Sequence, residues 1–226
     1  MYTENLMTLS FVPLENIPHL WEQNDVLIFL IDLDNYDTLS MECLNSTERE
    51  YLEKLHTIYF KKRYIVSRMV LKHVLCHLLN KSSVLDISTY KDECGEVHIL
   101  NHKELHICIS YSENVLTLAI SKVEVGIDVE IKRSLTLKNT LKYFQTTSSC
   151  TVKSASDADI LRTWTMKEAY CKFSNKNIFS ILSKEPNFNN ICYLSYLLDN
   201  KYIFSVITDS DPHTINISRL EKINYG

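Results

Sequence analysis

Two stretches with helical apolar period, each set among short β-branched runs, leave this chain few architectures. From about residue 61 to residue 79, Ile65, Val66, Met69, Val70, Val74, Leu75, Leu78 and Leu79 recur at three- and four-residue spacing. A second such segment covers roughly Asp157 to Phe173. Around the first stand the strand candidates Val26–Leu33, Val84–Tyr90, Leu105–Ser110 and Val115–Ser121. Around the second stand Val125–Ile131, Ile191–Leu198, Tyr202–Thr208 and Thr214–Ser218. Strands with one long helix thus occur twice, with a seam near residue 122, so the predicted class is α+β with halves 1–122 and 123–226. Thr47-Glu48-Arg49-Glu50 has capping-box spacing and predicts a further helix start. Turns are expected at Glu93–Glu96, Tyr111–Asn114 and Asp199–Lys201, a short helix over 137–144 and a Ser/Thr-rich loop over 145–156.

Composition narrows the function classes. The 226 residues carry a net charge of −4, which gives no basic signature of nucleic-acid binding. The longest apolar run, Val26 to Ile31, is too short to span a bilayer, and the acidic N-terminus does not read as a signal peptide. Seven scattered cysteines without a Cys-x-x-Cys pattern suggest reduced thiols in a cytoplasm and argue against structural zinc. Of only three glycines, Gly126 falls inside a predicted strand, where glycine often marks close backbone approach.

That strand, Val125-Gly126-Ile127-Asp128-Val129-Glu130, also carries the first chemical signal. Strand period puts Asp128 and Glu130 on one face and Ile127, Val129 and Ile131 on the other. Two neighbouring carboxylates repel unless a cation or proton lies between them, which makes them candidate ligands for a hard metal. The competing reading is a solvated acidic face on an edge strand. The second signal is Trp164-Thr165-Met166-Lys167-Glu168-Ala169-Tyr170-Cys171-Lys172, where Trp164, Glu168 and Lys172 share a helix face. Alone, this is equally a surface Glu–Lys pair beside a core tryptophan.

Taken together, the two motifs resemble the signatures of the 4′-phosphopantetheinyl transferase superfamily, a Gly-x-Asp-x-Glu strand followed by a Trp-x-x-Lys-Glu-x-x-x-Lys helix. Asn45-Ser46-Thr47-Glu48-Arg49-Glu50, the Lys62-Arg63 pair on the first long helix, and Ile109-Ser110-Tyr111-Ser112 are similar to segments of the monomeric, surfactin-synthetase-activating type. The likeness covers most of residues 26–208. It implies a pseudo-two-fold pair of α+β subdomains, each with a long helix on a small, mainly antiparallel sheet. The active site would lie in the cleft between them, in a monomer. It implies transfer of the phosphopantetheine arm of coenzyme A to a serine of an acyl or peptidyl carrier protein, with release of 3′,5′-ADP. Asp128, Glu130 and Glu168 would bind Mg²⁺, and Lys172 would assist the leaving phosphate. Arg63, with Lys62, would meet the 3′-phosphate, Ser110, Tyr111 and Lys172 would contact coenzyme A, and the motif residue Lys167 is counted with this coenzyme A-binding set. The carboxylates, Glu168 foremost, would take the serine proton. No nucleic-acid or membrane partner is expected, and the setting would be cytoplasmic.

Several positions depart from the family pattern. Ser110-Tyr111-Ser112 stands where Ser-His-Ser is usual, and Tyr111 donates a hydrogen bond but brings no positive charge. Gly95-Glu96-Val97 puts an acid where a phosphate-binding lysine is usual, and Asn175-Lys176-Asn177 replaces Gly-Lys-Gly. The expectation is an intact metal site with a weaker hold on coenzyme A, improved by Tyr111→His. Between Ile131 and Ser156 there is no acid but there are five cations, Lys132, Arg133, Lys138, Lys142 and Lys153. Carrier proteins of this system present an acidic helix, so this segment is a candidate dock, with Lys138, Lys142 and Leu141, beside Leu135 and Leu137, as contacts. A solvated basic helix is the alternative there. For the whole chain the alternatives are a non-catalytic relative that binds carrier protein or coenzyme A, and an unrelated metal-dependent phosphohydrolase.

Overall fold

Every strand that positions the site is buried on at least one face, and the alternation of side chains shows what covers each face. The structure is a computed structural model and describes residues 6–36, 40–134, 156–181, 188 and 191–223. In chain order it contains β1 (Leu6–Met7), β2 (Phe11–Val12), α1 (Ile17–Gln23), β3 (Val26–Asp32), α2 (Ser46–Glu53) and α3 (Ile58–Leu78). Then follow β4 (Thr89–Lys91), β5 (Val97–Ile99), β6 (His106–Ser112), β7 (Val115–Ser121), β8 (Val125–Ile131) and α4 (Asp157–Phe173). The last elements are β9 (Cys192–Leu198), β10 (Tyr202–Thr208) and β11 (Ile215–Leu220). The chain is α+β, as expected. Among the described residues no helix is long and apolar enough to cross a membrane.

Two mainly antiparallel sheets face each other. The larger has strand order β2-β11-β3-β7-β6-β5-β4 and the smaller β1-β9-β10-β8. In β3, Leu27, Phe29 and Ile31 join a core with α1 and α3, while Val26, Ile28 and Leu30 join a second core with Ile127, Val129, Phe204 and Val206 of the smaller sheet. Burial on both faces explains why β3 reads as an unbroken apolar run. On the outer face of the smaller sheet, Ile203 and Leu197 pack against Leu161 of α4. The layers are therefore helices, large sheet, small sheet, α4.

Several boundaries differ from expectation for local reasons. The capping box lies two residues earlier than Thr47: Asn45 Oδ1 accepts from Glu48 N, and Glu48 Oε2 accepts from Asn45 N. α3 starts at Ile58 because Thr57 Oγ1 caps Phe60 N. Tyr111 and Ser112 belong to β6 and not to a turn, since Glu113 takes φ +47° and tightens the hairpin to Glu113-Asn114. The seam near 122 separates the two sheets except at the termini. β11 pairs in parallel with β3 of the larger sheet, and β1 pairs in parallel with β9 of the smaller.

Candidate functional site

Gly126 decides where α4 meets β8. A Cβ there would lie 2.0 Å from Ala169 O and 2.6 Å from Phe173 N. Only a glycine lets the helix approach so closely. The helix presents small residues to this crossing: Ala169 and Thr165 are fully buried, and Thr165 Oγ1 meets Ser205 Oγ of β10 at 2.8 Å. Asp128 and Glu130 share the Gly126 face by strand alternation. Glu168 and Lys172, one turn apart on α4, are thus brought down beside Asp128.

Asp128 is 3 % exposed. Its Oδ1 accepts from Lys172 Nζ at 2.8 Å and from Ser110 Oγ at 2.6 Å, whereas its Oδ2 is buried with no hydrogen-bond partner. Lys172 Nζ also donates to Ser110 Oγ and to Ile127 O, both at 3.0 Å, so its three donors all go to protein acceptors. Burial opposes the Lys172 charge, but Asp128, Cys108 and Glu168 together more than offset this and hold the ammonium above its ordinary range. Burial together with the neighbouring Asp128 pushes the Glu168 carboxyl up to about 7. Burial also raises the Glu130 carboxyl, against the hydrogen bond from Ser112 Oγ at 3.0 Å. Glu130 lies 3.7 Å from Arg133.

The outer edge of β8 is satisfied by side chains in place of a strand. Ile127 N donates to Cys108 Sγ (3.3 Å), Ile131 N to Ser112 Oγ (3.0 Å), and Ile127 O accepts from Lys172. Cys108, Ser110 and Ser112 alternate along β6, so one strand face of the larger sheet stitches the seam and aims two hydroxyls at the carboxylates.

A cavity of about 400 Å³ opens between α3, β5, β6 and the C-terminal end of α4. This is within the usual range for small-molecule sites, about 300–1,000 Å³. Glu168, Lys172, Tyr111 and Glu96 line it, with Arg68, Lys91 and Lys176, which sequence reasoning had not singled out as site residues. Arg68 carried a signal nonetheless: it falls inside the apolar stripe of α3, where an unpaired charge is unusual. Arg63 lies at the margin, its guanidinium 4.2 Å from the Tyr59 ring and 5.3 Å from the Tyr111 ring, with Nη2 donating to Glu113 O at 2.6 Å. Lys62 is half-buried beside it, and Lys167 is fully buried in α4. Lys138, Lys142, Leu141, Leu135 and Leu137 lie outside the described residues.

For a hard cation the donor set fits in one respect: a buried carboxylate oxygen, Asp128 Oδ2, receives no backbone, hydroxyl or ammonium donor, and beside Asp128 stands the Glu168 carboxyl, which hydrogen-bonds it only while protonated. Asp128, Glu130 and Glu168 do not, however, bring one oxygen each within 4.8 Å of one another. Among the described residues only Asp92, Glu96 and His98 do so. In that group His98 Nε2 meets Asp92 Oδ2 at 3.1 Å, and this hydrogen bond lowers the Asp92 carboxyl. Glu96, raised by burial, forms its inner end on the cavity wall. No protein-family model matches the chain. No curated protein matches it.

Proposed function

We propose that the protein is a Mg²⁺-dependent 4′-phosphopantetheinyl transferase, moving the phosphopantetheine arm of coenzyme A to a serine of an apo acyl or peptidyl carrier protein. One observation carries this reading. Of the five partnerless buried side-chain atoms among the described residues, Asp128 Oδ2, an acceptor, belongs to the first motif, and two Nε donors belong to α3: that of Arg68, which lines the cavity with Glu168 and Lys172, and that of Arg63, near Tyr111. An orphaned acceptor suits a cation and orphaned donors suit an anion, the pair that a metal–phosphate substrate brings together. The two sheets with their long helices would be the pseudo-two-fold halves, 1–122 and 123–226, and the cavity their cleft. The basic segment from Lys132 onward, with Lys138, Lys142 and Leu141, would face an acidic carrier helix.

In this reading Asp128, Glu130 and Glu168 would hold Mg²⁺, which would supply neutralisation of negative charge on the substrate's phosphates. The carrier serine oxygen bonds to the phosphorus that bears the pantetheine arm, and the bond from that phosphorus to the ADP oxygen breaks. Lys172 stands where negative charge develops on the leaving phosphate. To contact it, Lys172 exchanges one of its three internal acceptors, and Ile127 O or Ser110 Oγ is the weaker competitor beside the charged Asp128. Ser110 holds Asp128 in place through its 2.6 Å hydrogen bond. Glu168 takes the serine proton late, as bond formation acidifies the hydroxyl. Arg63, beside Lys62, would meet the 3′-phosphate.

A second reading, a relative that binds coenzyme A or a carrier protein without transfer, draws support from the full engagement of Lys172 and the spread of the three carboxylates. Incubation with coenzyme A, Mg²⁺ and a panel of apo carrier proteins separates the two by mass spectrometry. A pantetheine adduct on the carrier serine is expected. Binding without an adduct would leave the second reading, and coenzyme A breakdown without adduct would indicate a phosphohydrolase.

A further inference from the structure

The β4–β5 hairpin gathers a second set of ligating side chains, apart from the carboxylates of β8 and α4. It pairs Tyr90 of β4 with His98 of β5. Its turn is fastened from inside: Asp92 Oδ1 accepts from Glu96 N at 2.8 Å, Asp92 N donates to Glu96 O at 3.0 Å, and Gly95 takes φ +87°. Glu96, just before β5, and His98 within it are two residues apart and project to one face. The Tyr90 ring stacks on the His98 imidazole, with centroids 5.3 Å apart, and holds its plane. One ligand atom each from Asp92, Glu96 and His98 lies within 4.8 Å of the others. His98 Nε2 and Asp92 Oδ2 are 3.1 Å apart. Two ligands of a tetrahedral zinc, with bonds of about 2.0–2.1 Å, stand about 3.3 Å apart, so these two atoms need little movement to share an ion. The set opens on a cavity of about 340 Å³ whose wall also holds His102, His106 and Glu124. His106 Nδ1 meets Glu124 Oε2 at 3.3 Å and His102 Nδ1 meets Glu104 Oε1 at 3.0 Å, so each ring is already oriented by a carboxylate, the usual outer partner of a metal-bound histidine. Three of the chain's eight histidines thus line one cavity, a supply of nitrogen donors that a merely solvated acidic turn lacks.

We propose that the hairpin is a binding site for a divalent transition metal of the zinc class, with Asp92, Glu96 and His98 as ligands and a fourth position open to the cavity. The donor set decides the metal. Mg²⁺ and Ca²⁺ favour shells of oxygen alone, whereas an imidazole beside two carboxylates suits Zn²⁺ and its neighbours. Three protein ligands with one open position is the arrangement in which zinc keeps a water or an outside ligand. The turn is fastened before the metal arrives, so little ordering opposes binding. The expectation against structural zinc concerned cysteine ligands, and this set uses none. Glu96 also lines the larger cavity, so an ion here would withdraw one negative charge from that wall. The site rests on its own residues and not on the transferase reading.

The test uses native, untagged, ¹⁵N-labelled protein freed of metal with a chelator. Zn²⁺ is titrated by calorimetry, and the ring nitrogens of His98, assigned through bonds to its backbone amide, are followed on the same samples. Co²⁺ is then bound in place of Zn²⁺ and its visible absorption read. Saturable Zn²⁺ binding with a shift of a His98 ring nitrogen is expected, undiminished by excess Mg²⁺, and Zn²⁺ should abolish the Co²⁺ band. His98→Ala should weaken Zn²⁺ by more than about a hundredfold, since loss of an outer partner alone costs about tenfold to a hundredfold. Asp92→Asn and Glu96→Gln should weaken it as well. No saturable Zn²⁺ binding, or binding that leaves His98 unshifted, would overturn the proposal. Displacement by Mg²⁺ would also overturn it, placing the ion on the carboxylates of β8 and α4. None of these outcomes bears on the transferase reading, whose readout is the carrier adduct. The resonance is read on unmutated protein, so an unstable variant does not decide the outcome.

Discussion

A methyl group at position 126 would overlap backbone atoms of α4, which no side-chain rotation relieves. Gly126→Ala therefore has to part β8 from α4, at a cost of about 1–3 kcal/mol or more. We expect a fall of several degrees in the thermal midpoint; an unchanged midpoint would mean the helix is not seated as described. Glu168 gives a second test at this scale. Its carboxyl is raised from 4.5 to about 7 in the folded protein. Between those values the native state binds more proton than the unfolded chain, so this group's contribution to stability falls as pH rises through the window. In chelator, native protein should lose thermal stability from pH 5 to pH 8 relative to Glu168→Gln, which cannot ionise. Mg²⁺ at pH 8 should raise the midpoint of native protein and do little for the variant; parallel pH profiles would remove Glu168 from the cluster. Gly126 was legible because a lone glycine weakens a β-branched strand unless a neighbouring backbone needs the space its missing side chain leaves. The altered acidity of Glu168 was not, because it arises from burial and from Asp128 across a contact that no local spacing encodes.

The elements of the larger half are tied by one buried carboxylate. Glu48 accepts from Asn45 N, Lys72 Nζ and Thr89 Oγ1, and Lys72 Nζ also donates to Cys43 O at 2.7 Å, so α2, α3 and β4 share one polar node. Lys72→Met leaves Glu48 buried and unpaired and should cost about 3–5 kcal/mol. Lys72→Met combined with Glu48→Gln should cost less than the single change, which a double-mutant cycle in urea would measure. An additive cycle would deny the coupling. The capping box over this segment was visible in the sequence, displaced by two residues. That its glutamate turns inward was not, because capping and ion pairing ask for the same residue. The β6–β7 hairpin shows a similar limit. Tyr111-Ser112-Glu113-Asn114 reads as a turn from composition, yet Tyr111 and Ser112 are held in β6 by pairing with β7. Placed there, Tyr111 has Arg63 at 5.3 Å from its ring and Arg68 as a charged neighbour. A histidine at 111 would meet two guanidinium groups that disfavour its protonation. The tightening of coenzyme A expected from sequence for Tyr111→His should thus be small near pH 8 and grow only in acid.

At the scale of the molecule, the two sheets are divided near residue 122 but closed by strands from opposite ends of the chain. β11 hydrogen-bonds to both β2 and β3, so without it the edge of β3, a strand buried on both faces, lies open. Arg219 of β11 further binds Asp199 Oδ2 at 2.7 Å, and Asp199 Oδ1 accepts from Leu9 N, which ties this strand to the β9–β10 turn and to the N-terminal segment. β11 was legible as a strand over Thr214–Ser218 and Asp199 as part of a turn, but the pairing of the chain ends was not. β1 and β2 are two residues each and too short to carry a period, and parallel pairing between chain ends leaves no local signal. The seam near residue 122 was read from the pattern of strands around one long helix occurring twice; the three residues between β7 and β8 would suit a hairpin as well, and only the pairing shows that β7 stays in the larger sheet while β8 joins the smaller. A fragment of residues 1–122 would expose the β3 edge, an invitation to aggregation. A fragment of residues 123–226 would carry β11 with no sheet to join. Expressed separately, the fragments should be insoluble or lack cooperative melting; co-expressed, they should assemble, with Arg219→Ala weakening the assembly. A cooperative melt from either fragment alone would show that the exchanged strands decorate the halves and do not complete them.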